Sequence, residues 1–566
     1  MAGGLMQLVS QGQQNIILNG NPSKTFFKSV FAQYTNFALQ KFRVDFEGSK
    51  TLRLTEPSTY TFKVPRYADL LMDCYLSVVL PNIWSPILPP QDPVNNTAES
   101  TNSDEWVPYE FKWIQNLGAK MISKISITCG NYTLQEYSGD YLLSAVQRDF
   151  NTDKKSLFDK MTGNIAELND PANAGSRVNA YPNAYFTDAL AGPEPSIRGR
   201  TLYIPLNNWF GLKSQMAFPL TSLQYNELHI NITLRPINQL FQLRDVFDST
   251  FNYPYVAPNF NLWYMQFYRF LQPPPDVAIG IDSYTDLRTL WNADVHLNCT
   301  YCFLSNDEER QFALQEQKYL IKQVHERQFY DVTGPNKVSL ESLGMVPNWM
   351  FYFQRSDVNL RNEWSNYTNW PYNYVPLDII LAPADGSYTV YRKNALGVPV
   401  SVLIGPGTNP DGTPTGLAIT PVYSPENEKY ILVSMGILLD GSYRENVQPS
   451  GIFNYIEKYT RTTGDAPDGL YCYNFAINSN NMDMQPSGAI NMSKFNLIEL
   501  EFTTIIPPLD PLAQSLVICN PTTGEVIGIN KPTWRIYDYN FNLTVFEERI
   551  NQIVFVGGNC GLSYAT

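Results

Sequence analysis

The chain has 566 residues, more than one hydrophobic core usually serves, and single β-sandwiches run to roughly 200–250 residues, so two large domains are expected. Hydrophobic residues make up 44% and aromatic ones 14%, with 40 prolines, a mix that favours pleated, half-buried surfaces and proline-punctuated loops over long helices. The formal charge of −13, from 40 Lys+Arg against 53 Asp+Glu, comes with no basic run to reverse it locally and argues against a nucleic-acid partner.

In chain order, Met1 to Leu8 has neither the basic start nor the apolar run of a secretory signal, and no window approaches about eighteen apolar residues. Neither secretion by that route nor membrane spanning is expected. Tyr60, Phe62 and Val64 alternate with Thr61 and Lys63, the period of a strand with one wet face. Leu143, Val146 and Phe150 share a helix face. A second helix is expected from Thr152 as cap, through Leu157, Phe158 and Met161, to Gly163 as stop. The clearest alternation sets Leu228, Ile230, Ile232 and Leu234 against His229, Asn231, Thr233 and Arg235. Leu297, Cys299, Tyr301 and Phe303 likewise oppose His296, Asn298, Thr300 and Cys302, which would face solvent. Ser305-Asn306-Asp307-Glu308 has capping-box spacing with acids in the first turn, which predicts a short connector helix over 306–317 before strand patterning restarts at Tyr319-Leu320-Ile321. The same grammar then returns in Tyr471, Tyr473, Phe475 and Ile477 and in Ile498, Leu500, Phe502 and Thr504. Long loop-like stretches at 81–110, 164–200, 248–290, 404–426 and 440–469 separate the strands, and strands joined by such excursions suggest a jelly roll. One of them is dense in aromatics, among them Tyr253, Tyr255, Phe260, Trp263 and Tyr264. Such a segment needs cover, either from its own domain or from a subunit contact, which makes it a candidate interface loop.

Chemistry is poorly provisioned. The common phosphate, zinc and acyl-transfer motifs are absent, and only three histidines, His229, His296 and His325, are available for acid–base work. Cys299-Thr300-Tyr301-Cys302 matches Cys-x-x-Cys, but residues three apart on a strand point to opposite faces and could not share a metal without a bulge. Gly405-Pro406-Gly407 and Pro410-Asp411-Gly412 read as turns. The seven cysteines are odd in number and scattered, which fits reduced thiols in a cytosol-like compartment. No catalytic, cofactor or metal site is therefore expected, and the chain is read as a non-enzyme. Of seven Asn-x-Ser/Thr sequons, Asn95 in a proline-rich loop and Asn366 in a Trp/Asn stretch are expected to be the better exposed, with Asn131 a third candidate acceptor.

Longer strings are recognisable. Ala2-Gly3-Gly4-Leu5-Met6-Gln7-Leu8-Val9, Gly20-Asn21-Pro22, Thr25-Phe26-Phe27-Lys28 and Tyr34-Thr35-Asn36-Phe37-Ala38 resemble the opening of major capsid proteins of nucleocytoplasmic large DNA viruses. Asp69-Leu70-Leu71, Trp113-Ile114, Phe218-Pro219-Leu220 and Leu223-Gln224-Tyr225-Asn226-Glu227 look like the family's first sandwich. Asp307 to Ala313 resembles its junction. Tyr473-Asn474-Phe475-Ala476, Gln485-Pro486-Ser487-Gly488, Asn491-Met492-Ser493-Lys494 and Gly557 to Tyr564 resemble its second sandwich. Lys494 stands where the family usually has Arg, and Gln-Pro-Ser-Gly occurs a second time at 448–451.

The resemblance implies an all-β double jelly roll, two tandem eight-stranded antiparallel β-sandwiches with short helices and long loops. It implies an N-terminal segment over 1–25 beneath the capsomer, a first jelly roll over 26–305, the connector over 306–317 and a second jelly roll over 318–566. Three chains would close into a pseudo-hexagonal capsomer of the outer icosahedral shell. Minor capsid and penton proteins would be neighbours, and an inner membrane would lie nearby without being spanned. The virion's outer shell would be its location and the host cytoplasm its place of assembly. A carbohydrate-binding or carbohydrate-cleaving β-sandwich, needing only two carboxylates along a groove, is the competing reading, and a minor or penton component of the same virion a further one.

Overall fold

The computed structural model describes residues 4–6, 12–48, 51–88, 107–184, 192–247, 254–274, 284–373, 379–380, 388–393, 399–404, 428–480, 485–507, 516–530 and 537–564. The expected turns at 405–407 and 410–412 lie outside them, as does Asn95. No described helix is long and apolar enough to cross a membrane.

Among the described residues, the eight longest strands of the first half build its sandwich: β1 (Ala38–Val44), β2 (Ser58–Lys63), β3 (Leu70–Val79), β4 (Ile122–Cys129), β5 (Tyr132–Tyr137), β6 (Thr201–Pro205), β7 (Leu228–Leu234) and β8 (His296–Phe303). They form two antiparallel sheets, ordered β1-β8-β3-β6 and β2-β7-β4-β5. Eight more build the second half: β9 (Gln317–Phe329), β10 (Pro335–Ser339), β11 (Met345–Arg355), β12 (Leu432–Leu439), β13 (Ser442–Pro449), β14 (Leu470–Asn474), β15 (Ile498–Thr504) and β16 (Phe541–Val556). Their sheets run β9-β16-β11-β14 and β10-β15-β12-β13. Adding eight to every strand number of the first pair of sheets reproduces the second, so one topology is used twice. It is the two-sheet arrangement of a jelly roll. The short strand β17 (Asn559–Leu562) then folds back on the end of β16.

Alternation carries the cores. In β7 and in β15 every second residue is buried, and these side chains fill the space between paired sheets as the period of two requires. Phe62, Ile125, Ile127, Ile230 and Ile232 belong to the first core, and Phe353, Ile437, Leu500, Phe502 and Leu543 to the second.

Helices sit on the excursions. Helix α1 (Gly139–Asp149) is capped by the Ser138 hydroxyl, which accepts from Tyr141 N at 3.2 Å, and it buries Leu143 and Val146, with Phe150 buried at its C-cap. Helix α2 (Thr152–Thr162) is capped by the Asn151 side chain on Lys154 N at 2.9 Å, not by Thr152 as expected, and ends on Gly163 at φ +79°. Helix α3 (Asn306–Leu314) follows β8 and stops short of the expected 317, because β9 has begun by then. Ser305 has the extended backbone of a cap, but its side chain makes no capping hydrogen bond, so the three acids of the first turn supply the local electrostatic bias.

Three expectations are corrected. His296, Thr300 and Cys302 do not face water: each is buried, and Cys302 packs with Leu70 and Ala217 under Leu304 and Phe312 of the connector. The stretch 440–469 is not a loop, for Asp440 and Gly441 at φ +48° and +79° turn β12 into β13, and residues 452–461 are helical. Positive φ at both central positions is the hairpin geometry that Asp-Gly favours. Residues 26–37, expected inside the first sandwich, stand outside its core: the first strand begins at Ala38, and Phe26, Phe27, Phe31 and Tyr34 are all more than four-fifths exposed.

Candidate functional site: the seam between the sandwiches

Strand β16 is buried on both faces for most of its length. Phe541, Leu543 and Val545 point into the second core, while Phe546, Ile553 and Phe555 belong to the hydrophobic cluster of the first half. Met350, Tyr352, Leu470 and Cys472 of the same sheet join that cluster too. The outer face of one sheet of the second sandwich is therefore covered by the first half, mainly through α1 and the segment around residues 209–218. Phe555 meets Phe218 edge-on at 5.0 Å, and Tyr141 meets Phe546 at 5.7 Å.

Charged side chains at the centre of this apolar seam are paired with one another. Arg148 is 0% exposed and reaches Asp149 through two hydrogen bonds of 2.7 and 2.8 Å, Glu548 at 2.8 Å and the Asn348 side-chain oxygen at 2.9 Å. Glu548, equally buried, also accepts from Tyr141 at 2.9 Å and from Asn348 at 3.0 Å, with the Lys322 ammonium at 3.5 Å. Burial alone would raise its pKa, but the charges of Arg148 and Lys322 outweigh this and hold the carboxyl down at about 2. A second cluster places Lys120 on Asp140 at 2.5 Å and on the Tyr367 hydroxyl at 3.2 Å, while Arg235 holds the other Asp140 oxygen at 2.9 Å. Backbone bonds close the rest: Gly464 N donates to Arg148 O at 2.7 Å, and Gln224 N to Gly558 O at 2.8 Å. A Cβ on Gly464 would lie 2.6 Å from the carbonyl oxygens of both Gln147 and Arg148, so only glycine fits there.

Removing ions from water is costly unless every group is paired, and a pair spanning two domains then fixes their relative position. What this arrangement does is mechanical: it makes two sandwiches one rigid block. The expected sites fall elsewhere. The three histidines are scattered, with His296 Nδ1 2.9 Å from Asp294 O and His325 pushed down to about 4 by burial and by Arg549 and Arg327. Among the described residues no cluster of His, Cys, Asp or Glu is arranged to hold a metal. Cys299 packs in the first core and Cys302 in the separate cluster under the connector.

Tyr253 lies outside the described residues, but Tyr255, Phe260, Trp263 and Tyr264 are half-buried within their own chain, where the Tyr255 carbonyl accepts from the Tyr372 hydroxyl and Ala257 N donates to Leu360 O of the second half. Tyr255 donates to Glu110, Phe260 and Tyr264 pack against the first core, and Arg269 lies over the Trp263 ring at 4.6 Å. Asn131 is exposed at the β4–β5 turn. Asn366 is not exposed as expected: it is 3% accessible, and its side chain is used by Thr368 N at 3.0 Å and Trp370 O at 2.7 Å to shape its loop. The seam residues themselves leave one trace in the sequence, the charged triplet Glu547-Glu548-Arg549 inside an otherwise strand-like stretch.

Comparison with known proteins agrees with this architecture. A family described as "Major capsid protein N-terminus" matches residues 25–267, and one described as "Large eukaryotic DNA virus major capsid protein" matches 308–506. The major capsid protein of Phaeocystis pouchetii virus is 25% identical over 96% of this chain and 97% of its own length. That of Paramecium bursaria Chlorella virus 1 is 23% identical over the full length of both. That of Chrysochromulina ericina virus is 29% identical over 57% of this chain, which spans 52% of that relative. In structure, the PBCV-1 virus capsid protein superposes with a TM-score of 0.57 at 18% identity, covering 96% of this chain and all of the other. The Faustovirus major capsid protein gives 0.56 at 11% identity, covering 97% and 96%. Two jelly rolls of identical topology and these matches along most of the sequence place the chain in the family of major capsid proteins of large eukaryotic DNA viruses.

Proposed function

We propose that three copies of this chain close into a pseudo-hexagonal capsomer that tiles the outer icosahedral shell of a large DNA virus. The observation that carries this reading is the rigid pairing of two like sandwiches: three such blocks around a threefold axis present six similar corners. A closed ring of this kind needs broad contacts, of at least roughly 2,000 Å² with apolar centres. The role is structural and not enzymatic, as for the family. Copies of itself and neighbouring capsomers are the principal partners, with minor capsid and penton proteins beneath and at the vertices. The N-terminal segment over 1–25 faces those minor proteins and the inner membrane nearby. Assembly in the host cytoplasm fits the unpaired thiols. The net charge of −13 disfavours direct contact with the genome. Native mass measurement tests the proposal: a species near three times 64.4 kDa is expected, whereas a monomer at assembly concentrations, or a pentamer, overturns it.

A further inference from the structure

A narrow cavity of about 90 Å³ opens beside the seam. Its walls are mainly apolar, among them Leu142, Val146, Leu206, Met216 and Ile321, with polar groups such as Gln135 and Gln485 between them, which is the usual character of a ligand site. Two hydrogen-bond donors among its lining residues have no partner: the indole N–H of Trp209, a residue only 3% exposed, and the side-chain amide of Asn207. Both nitrogens are themselves closed off from solvent, so the apolar walls carry the case for an occupant.

The same chain carries the complementary defect. Phe26, Phe27, Val30, Phe31 and Tyr34 are between 84% and 98% exposed, a run of large apolar side chains with no cover. This arm enters the fold close to the cavity. Ala38 and Leu39 pair with Phe303 and Cys302, Cys302 packs on Ala217, and the neighbouring Met216 lines the cavity. From Ala38 back to Phe26 an extended chain spans about 40 Å, enough to leave its own protomer. In its own protomer the arm does not occupy the cavity.

We propose that the cavity is the docking site for the arm of a second copy of this chain. An aromatic side chain of residues 26–34 enters the apolar space, with its neighbours lying along the mouth. Neighbouring copies are thus clasped by exchanged segments in addition to any flat contact between sandwiches. This goes beyond the capsomer reading and asks of it only that copies meet, which the native mass tests separately.

The test is photo-crosslinking of the full chain with a photoreactive phenylalanine analogue in place of Phe27, using equal amounts of light and ¹⁵N-labelled protein so that crosslinks between copies carry mixed isotopes. Mixed-isotope crosslinks to peptides containing Leu212 to Met216 or Gln485 to Gly488 are expected. Leu212→Trp, which narrows the cavity, lowers their yield at least five-fold. So does the pair Phe26→Ser and Phe31→Ser, whose side chains are exposed and cannot be needed for folding. Crosslinks confined to one copy, crosslinks only to other surfaces, or a yield unmoved by the arm substitutions would overturn the proposal. So would a small amphipathic molecule found at one equivalent in the cavity by native mass spectrometry.

Discussion

Arg148→Met is the sharpest perturbation of the seam. It removes a guanidinium that bonds Asp149, Glu548 and Asn348 and deprives two buried carboxylates of their nearest positive charge, with the partly exposed Lys322 3.5 Å from Glu548. Breaking a buried pair by deleting one partner costs about 3–5 kcal/mol, because the remaining charge is uncompensated. For domains of this size each kcal/mol moves the melting temperature by about 2–4 °C, so calorimetry at fixed protomer concentration should show a fall of roughly 6–20 °C at pH 7. Adding Glu548→Gln should return at least about 1 kcal/mol, since it removes one of the stranded charges. The pH dependence follows from the depressed carboxyl. Glu548 titrates near 2 in the folded protein against an ordinary value of 4.5, so its contribution is present above pH 4.5 and is lost as pH falls toward 2. That contribution is worth about 3 kcal/mol. In Arg148→Met burial dominates, the carboxyl rises above 4.5, and the variant's deficit should shrink as the solution is acidified. A loss under about 1 kcal/mol at pH 7, with no rescue by the second substitution, would refute the view that the seam charges fix the two sandwiches together.

Gly464→Ala should open the seam locally, seen as faster amide exchange over residues 461–466 and a lower melting temperature, because the added Cβ would press on two carbonyl oxygens. Leu500→Ala in the second core should cost about 2–5 kcal/mol in urea unfolding, the usual range for a buried leucine that cannot be replaced by collapse. Of the native thiols only that of Cys519 is exposed, so one equivalent of a thiol reagent should react quickly and Cys519→Ser should abolish that phase. Deletion of residues 1–25 should leave the native mass consistent with trimers and impair shell assembly, and ordinary assembly by electron microscopy would exclude the role assigned to that segment.

The strands with one wet face were the most legible. Leu228 to Leu234 announces its inner side because His229, Asn231 and Thr233 remain partly accessible on the other. β8 misled for the opposite reason: Cys302 on its outer face is roofed by the connector, a contact set by residues such as Phe312 that lie beyond the strand. Asp440-Gly441, straight after the apolar run 432–439, was a readable hairpin signal that the polar strand following it hid. Asn366 shows the limit of reading exposure from composition, because a polar, aromatic loop can use its amides internally. Beyond the charged triplet at 547–549 the seam could not be read, since Arg148 and Glu548 are 400 positions apart and nothing local relates them. Double jelly-roll organisation was legible chiefly through long motif strings, whereas alternation alone reached only two sandwiches.

β16 has a further consequence. It is the central strand of one sheet, between β9 and β11, and it also supplies Glu548, Phe546 and Phe555 to the first half. During synthesis Arg148 waits unmatched by Glu548 until a strand more than 500 residues along the chain has been made. A polypeptide cut short before that point lacks both the central strand of the second sandwich and the cover it gives the first half, so both halves are left unfinished at once.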